Sequence, residues 1–226
     1  MNFNFGCRTE NQEKYYGKYV IPPQINNNVC IDMGCNVGYF VMDNFKKFKH
    51  IYAFDASYQN FVVTLRKTLF QQLRNDSAHN VVCFNLACAK ENGEIIKIYR
   101  NDLNGNSVSP MTVPEMFEKQ YTNWEERWET YHNVYSISLE GLYEFFNIDF
   151  IDYLKIDVEG AEYDFLLNKD LSKIGCIGIE MHGTLGKEKK QEMKQHLKKY
   201  FNIYHIEYDD PSPGHSVITY LNKRFY

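Results

Sequence analysis

The chain has 226 residues, 44% of them hydrophobic, which is enough for one sizeable core, and residues 1–226 are read as a single domain. Lys and Arg number 25 against 29 Asp and Glu, a formal charge of −4, so no cationic field exists to hold a polyphosphate and nucleic acid is excluded as the default partner. The first residues lack a basic patch followed by an apolar run, no apolar run reaches the ~18 residues of a membrane span, and the six cysteines form no C-x-x-C pair, so a cytoplasmic protein without membrane insertion is expected.

Along the chain, short apolar strands alternate with helical stretches. A strand at 29–33 leads to a helix at 40–48, a strand at 51–55 to a helix at 57–74, and a third strand covers 81–87. This alternation is that of βαβ crossovers around a parallel sheet. Between 100 and 133 the pattern breaks into polar sequence containing Trp124 and Trp128. A stretch of that length inside a compact domain predicts a functional insertion, a lid over the active site. Strands resume at 153–157 and 176–180, followed by a Lys-rich amphipathic helix at 187–200 whose charges read as a solvated face. Strands at 203–208 and 216–221, joined by Asp209-Asp210-Pro211-Ser212-Pro213-Gly214, predict an antiparallel return that makes the sheet mixed at one edge.

The first strand runs into the glycine turn Asp32-Met33-Gly34-Cys35-Asn36-Val37-Gly38 and then a helix. Gly34 and Gly38 admit close backbone approach by a ligand, and the helix start offers unpaired N–H groups. The spacing D-x-G-x-N-x-G is not the dinucleotide fingerprint G-x-G-x-x-G, and Asp32 before the first glycine repels a pyrophosphate while attracting a cationic amino-acid group. Asp55, about 20 residues on at the end of the second strand, occupies the place of the acid that accepts ribose hydroxyls; alternatively it caps the next helix together with Ser57. Ala56 follows it, and Asn85 and Ala87 at the end of the third strand are placed at the adenine edge. The run Lys155-Ile156-Asp157-Val158-Glu159-Gly160-Ala161-Glu162 brings carboxylates to the carboxyl end of a central strand, where open α/β sheets bind ligands, with Glu159 or Glu162 also suited to a helix N-terminus.

The glycine turn, Asp55, Ile137-Ser138-Leu139-Glu140 and above all residues 155–162 resemble the FkbM family of S-adenosylmethionine-dependent methyltransferases, over nearly the whole chain. The resemblance implies an α/β doubly wound, seven-stranded Rossmann-like methyltransferase sheet of order 3-2-1-4-5-7-6. It also implies O-methylation of sugars or natural products, with Asp32, Gly34, Asn36, Gly38 and Asp55 on the cofactor S-adenosyl-L-methionine and Asp157 near the reacting methyl. Phe54-Asp55-Ala56 departs from the Phe-Glu-Pro of many relatives, and residues 100–133 align with no family pattern.

Methyl transfer to an alcohol needs a base or a metal at the acceptor. In Gly178-Ile179-Glu180-Met181-His182-Gly183, His182 is a candidate base. Alternatively Asp157, Glu180 and His182 together hold a divalent cation, Mg or Mn. Trp124, Trp128 and Ser107 of the insertion are the expected acceptor-facing residues. The expected acceptor is a sugar, in a glycan, with a rhamnose-like deoxyhexose as the specific choice and glycosyltransferases as working partners. Competing readings are a methyltransferase of a small natural product, an NAD-dependent sugar-nucleotide oxidoreductase, and a scaffold that binds a glycan without chemistry.

Overall fold

The computed structural model describes residues 18–74, 78–99, 131–183, 186–210 and 214–225. Its strands in chain order are β1 (Val29–Met33), β2 (His50–Phe54), β3 (Val81–Phe84), β4 (Ala87–Cys88), β5 (Ile95–Tyr99), β6 (Tyr131–Ile137), β7 (Ile151–Ile156), β8 (Ile174–Met181), β9 (Phe201–Asp209) and β10 (Ser216–Asn222). The helices are α1 (Tyr39–Asn44), α2 (Tyr58–Leu73), α3 (Leu139–Phe146), α4 (Glu162–Leu166) and α5 (Gly186–Tyr200).

Seven strands form one sheet in the order β3-β2-β1-β7-β8-β10-β9, parallel except where β10 pairs antiparallel with β8 and β9. The expected labels 3-2-1-4-5-7-6 miscount the chain, because β4, β5 and β6 intervene and form a second, three-stranded sheet of order β4-β6-β5. The strand expected at 81–87 accordingly breaks in two: β3 ends at Phe84, and Ala87 pairs with Ser136 of β6. Of the expected insertion, Tyr131 to Asn133 belong to β6, paired with Ile98 and its neighbours on β5. Residues 100–130, with Ser107, Trp124 and Trp128, lie outside the described residues.

Side chains alternate across each strand, so neighbouring residues of β1, β7 and β8 enter different cores. Ile31, Met33, Leu154, Ile156, Ile177 and Ile179 pack with Phe165, Met193 and Leu197 on one face, while Cys30, Tyr153 and Cys176 pack with Phe40, Val41 and Phe48 on the other. Asp32 shares the second face with Cys30, and the β1–β7 register sets it opposite Lys155. Both are buried, and the ammonium lies 3.0 Å from Asp32 Oδ1. Helix α2 begins where Ser57 accepts the Asn60 N–H, and α3 where Ser138 accepts the Gly141 N–H, each serine capping the start of its helix.

Candidate active site

The site begins with the turn that leaves β1. Gly34 and Cys35 both donate their N–H to the Phe54 carbonyl at 2.9 Å, folding the turn over the end of β2. Gly34 has φ +75°, and a Cβ there would sit 1.9 Å from the Asp157 carbonyl oxygen, so only glycine lets the turn pass β7. Asn36 also takes a left-handed φ, +50°, a strained conformation of the kind found at ligand clamps.

Asp55 joins this turn to β2. Its Oδ2 accepts the Asn36 N–H at 2.7 Å, and its Oδ1 accepts the Ser57 N–H at 2.8 Å and the Asn60 amide at 3.3 Å. Burial pushes the carboxyl up to about 7, against the pull of these three donors. The helix-capping reading of Asp55 is therefore present, and Oδ2, which accepts the Asn36 N–H, retains acceptor capacity on the turn side. Asn85 donates to the carbonyls of Asp55 at 2.9 Å and Ala56 at 3.0 Å, while His132 Nε2 lies 2.9 Å from the Ala56 carbonyl. Asn85 thus holds the loop beside the site. Ala87 is packed with Ile98 and Val134 in the core of the small sheet.

Asp32 occupies a different position from that of a direct ligand. Its side chain is fully buried behind the turn, and its compensating charge is Lys155, which also donates to the Gly34 carbonyl at 2.5 Å. Burial raises the Asp32 pKa and Lys155 draws it back, while desolvation of Lys155 is outweighed by Asp32 and Asp157, which hold its ammonium protonated. The pair supports the glycine turn from beneath.

At the carboxyl ends of β7 and β8 the other predicted residues meet. Asp157 Oδ2 accepts the Tyr19 hydroxyl at 2.9 Å and lies 3.4 Å from the Lys18 ammonium. Despite its burial, Lys155, Lys18 and His182 hold its carboxyl down to about 2. Glu180 bonds Lys18 through one oxygen and, through the other, accepts the Tyr208 hydroxyl at 3.0 Å and faces His215 Nδ1 at 3.2 Å.

His182, 1% exposed, is enclosed by acids: Nδ1 faces Glu162 Oε1 at 3.3 Å, and Nε2 faces Glu159 Oε2 at 3.3 Å and Asp157 Oδ1 at 3.8 Å. Desolvation favours the neutral ring, yet the Glu162 hydrogen bond and the Glu162, Glu159 and Asp157 charges raise its pKa to about 9. At neutral pH His182 is therefore an imidazolium, so the candidate base is held in its protonated form by these carboxylates. Glu162 clamps the corner by accepting the N–H groups of Gly160 and His182, both at 2.7 Å. Glu159, with φ +54°, is held in the left-handed region and is the outermost acid, its side chain 43% exposed.

The expected cation ligands Asp157, Glu180 and His182 do not converge as one set. Ligand atoms within 4.8 Å of one another occur instead in two trios among the described residues, Asp157 with Glu159 and His182, and Glu180 with His182 and His215. Between Asp157 and Glu180 stands Lys18. Lys18 and Tyr19 carried no motif. Lys155 did carry a signal, since a lysine in an apolar central strand requires a buried anion.

The Methyltransferase FkbM domain matches residues 32–207, which is more than half of the chain and includes the glycine turn, Asp55, Asp157 and His182. The chain belongs to the FkbM methyltransferase family. Among solved structures it is similar to methyltransferase FkbM from Methylobacillus flagellatus KT, at 12% identity and a TM-score of 0.52, covering 92% of this chain and 50% of that one. This FkbM chain thus spans half the length of that relative. It is also similar to TrmK from M. capricolum, solved with S-adenosyl-homocysteine, at 14% identity, TM-score 0.47 and coverage of 96% and 70%. A third similarity is to the Methanococcus jannaschii fibrillarin pre-rRNA processing protein, at 12% identity, TM-score 0.48 and coverage of 91% and 70%. No curated protein matches the FkbM chain. No helix among the described residues is long and apolar enough to cross a membrane.

Proposed function

We propose that the chain is an S-adenosylmethionine-dependent O-methyltransferase acting on a sugar hydroxyl, within a glycan, with a rhamnose-like deoxyhexose as the first acceptor to try. One juxtaposition carries this reading: the glycine turn of β1 sits between Asp55 at the end of β2 and Asp157 at the end of β7, all on the carboxyl edge of a methyltransferase-family sheet. A cofactor ribose would bond Asp55, the methionyl part would lie along the Gly34–Gly38 turn, and the methyl would point toward Asp157. The turn lacks the G-x-G-x-x-G spacing of a dinucleotide site, which speaks against NAD. The family resemblance to sugar and natural-product methyltransferases supports a hydroxyl acceptor, with glycosyltransferases supplying the glycan in the cytoplasm.

In the transfer, the acceptor oxygen attacks the methyl carbon in line as the carbon–sulfur bond breaks and its electron pair stays on sulfur. The hydroxyl proton passes to His182 in its neutral form, with Asp157 and Glu162 orienting the ring. A Mg or Mn ion has no part in this scheme, because the Lys18 ammonium already stands between the carboxylates of Asp157 and Glu180.

Calorimetry with S-adenosylmethionine, S-adenosylhomocysteine and NAD tests the cofactor, and turnover of labelled S-adenosylmethionine on nucleotide sugars, glycosides and oligosaccharides tests the acceptor. Asp55→Ala is expected to weaken S-adenosylmethionine binding by roughly 1.5–3 kcal/mol through loss of a charge-assisted contact. Because Asp55 also holds Asn36 and Ser57, circular dichroism must show the variant folded, and unchanged affinity in folded protein would remove the ribose assignment. Trp124 and Trp128 are proposed as flat apolar faces for a pyranose ring. Replacing either with Leu should raise the acceptor KM and leave cofactor affinity intact, whereas a fall in Tm alone would make them anchors.

A further inference from the structure

Lys18 and Tyr19 precede the family match, which begins at residue 32, yet their side chains end inside the site. Lys18 is 3% exposed, with its ammonium bonded to Glu180 and 3.4 Å from Asp157 Oδ2. The Tyr19 hydroxyl donates to that same Asp157 oxygen, and the Tyr19 ring centroid lies 5.0 Å from the Lys18 ammonium. Glu180 turns its other oxygen to Tyr208 and His215, so both of its oxygens are engaged. The two carboxylates come from the ends of adjacent strands, β7 and β8, and such like charges at close quarters require a shared counter-ion.

We infer that Lys18 is the built-in cation of this site, standing between Asp157 and Glu180 where a divalent ion would otherwise bridge them. It is a positioning residue: with Tyr19 it holds the Asp157 carboxylate beside the glycine turn and makes the site independent of metal. A single ammonium on a flexible stem carries one charge and three donors, enough for two carboxylates. Removing it leaves hard oxygen ligands facing each other, which is the donor set that Mn²⁺ accepts. The turnover part of the test rests on the O-methyltransferase reading, whereas the metal-binding part does not.

The test titrates Mn²⁺ alone into full-length wild type, Lys18→Met, Lys18→Arg and Lys18→Met/Glu180→Gln, following free Mn²⁺ by electron paramagnetic resonance. Lys18→Met should bind Mn²⁺ at least about tenfold more tightly than wild type, Lys18→Arg should match wild type, and the added Glu180→Gln should erase the gain. Turnover in the wild type should be indifferent to chelator. Lys18→Met should lose about tenfold or more in kcat while Lys18→Arg retains most of it, with Mn²⁺ restoring activity to Lys18→Met alone. Equal Mn²⁺ affinity in wild type and Lys18→Met overturns the inference. If Lys18→Met does not fold, the wild type decides: Mn²⁺ binding that Asp157→Asn abolishes, or turnover lost to chelator, overturns it, and the absence of such binding in the wild type upholds it. Mn²⁺ results as expected in a protein that never consumes S-adenosylmethionine would keep the built-in cation and discard the proposed reaction.

Discussion

His182→Ala is expected to lower turnover about 10²–10⁴-fold, and the wild-type rate is expected to rise with pH with its midpoint near 9. An unperturbed imidazole would give a midpoint near 6.5, but His182 is enclosed by Glu162, Glu159 and Asp157, whose charges hold its proton. With a pKa of about 9 only about 1% of the ring is neutral at pH 7, and this fraction grows about tenfold for each pH unit up to the midpoint. Folding stability should run the other way. Because the folded pKa lies above the unfolded value of 6.5, the stabilisation is fully present below pH 6.5 and is lost as pH rises through about 9. Melting temperatures across this range should therefore fall while turnover rises, and in His182→Ala both trends should flatten. Initial rates at saturating S-adenosylmethionine and acceptor, with Tm measured in the same buffers, check both. A rate that is level from pH 6 to 10 together with an active His182→Ala variant would remove His182 as the base and return the role to Asp157 or to a residue of 100–130.

The second large effect is on the fold beneath the cofactor turn. Lys155→Met should cost about 3–5 kcal/mol, because it leaves the carboxylate of Asp32 fully buried without its counter-charge. It also removes the donor to the Gly34 carbonyl, so the glycine turn loses its support. The loss should depend on pH in a defined sense. With Lys155 gone, burial and the nearby charge of Asp157 are unopposed and raise the folded pKa of Asp32 further above the unfolded value of 3.8. The destabilisation is then relieved as pH falls toward the unfolded pKa and grows as pH rises toward the folded one. The double variant Asp32→Asn/Lys155→Met removes both charges and should recover a large part of the loss, since neutral replacement of a buried pair is far less costly than breaking it. Urea unfolding at pH 7 and pH 5 measures all three proteins. A Lys155→Met variant within about 1 kcal/mol of wild type at pH 7 would show that the pair contributes little to holding the turn.

Much of the site is local and was therefore legible. Gly34 and Gly38, Asp55 after the second strand, and Asp157 before Gly160 each belong to a short stretch whose strand-then-turn pattern places them on the carboxyl edge of the sheet. What was not legible is which charge faces which. Residues 81–87 read as one strand because their apolar run is nearly continuous, yet Asn85 bonds the carbonyls of Asp55 and Ala56 and the chain leaves the sheet there. The strands β5 and β6 show alternation only weakly, and their pairing joins segments on either side of 100–130.

The sequence by itself determined the order of strands and helices, the glycine turn and the carboxylates at the strand ends, because hydrophobic periodicity and glycine's conformational freedom act within a few residues. Only the tertiary structure decided that Asp32 supports the turn through Lys155, that His182 carries its proton among three acids, and that Lys18 stands between Asp157 and Glu180. The physical reason is that a buried charge is set by its partners across the sheet, and those partners lie 20 to 162 positions away in the chain, brought into contact by strand register and by an N-terminal segment that no local pattern announces.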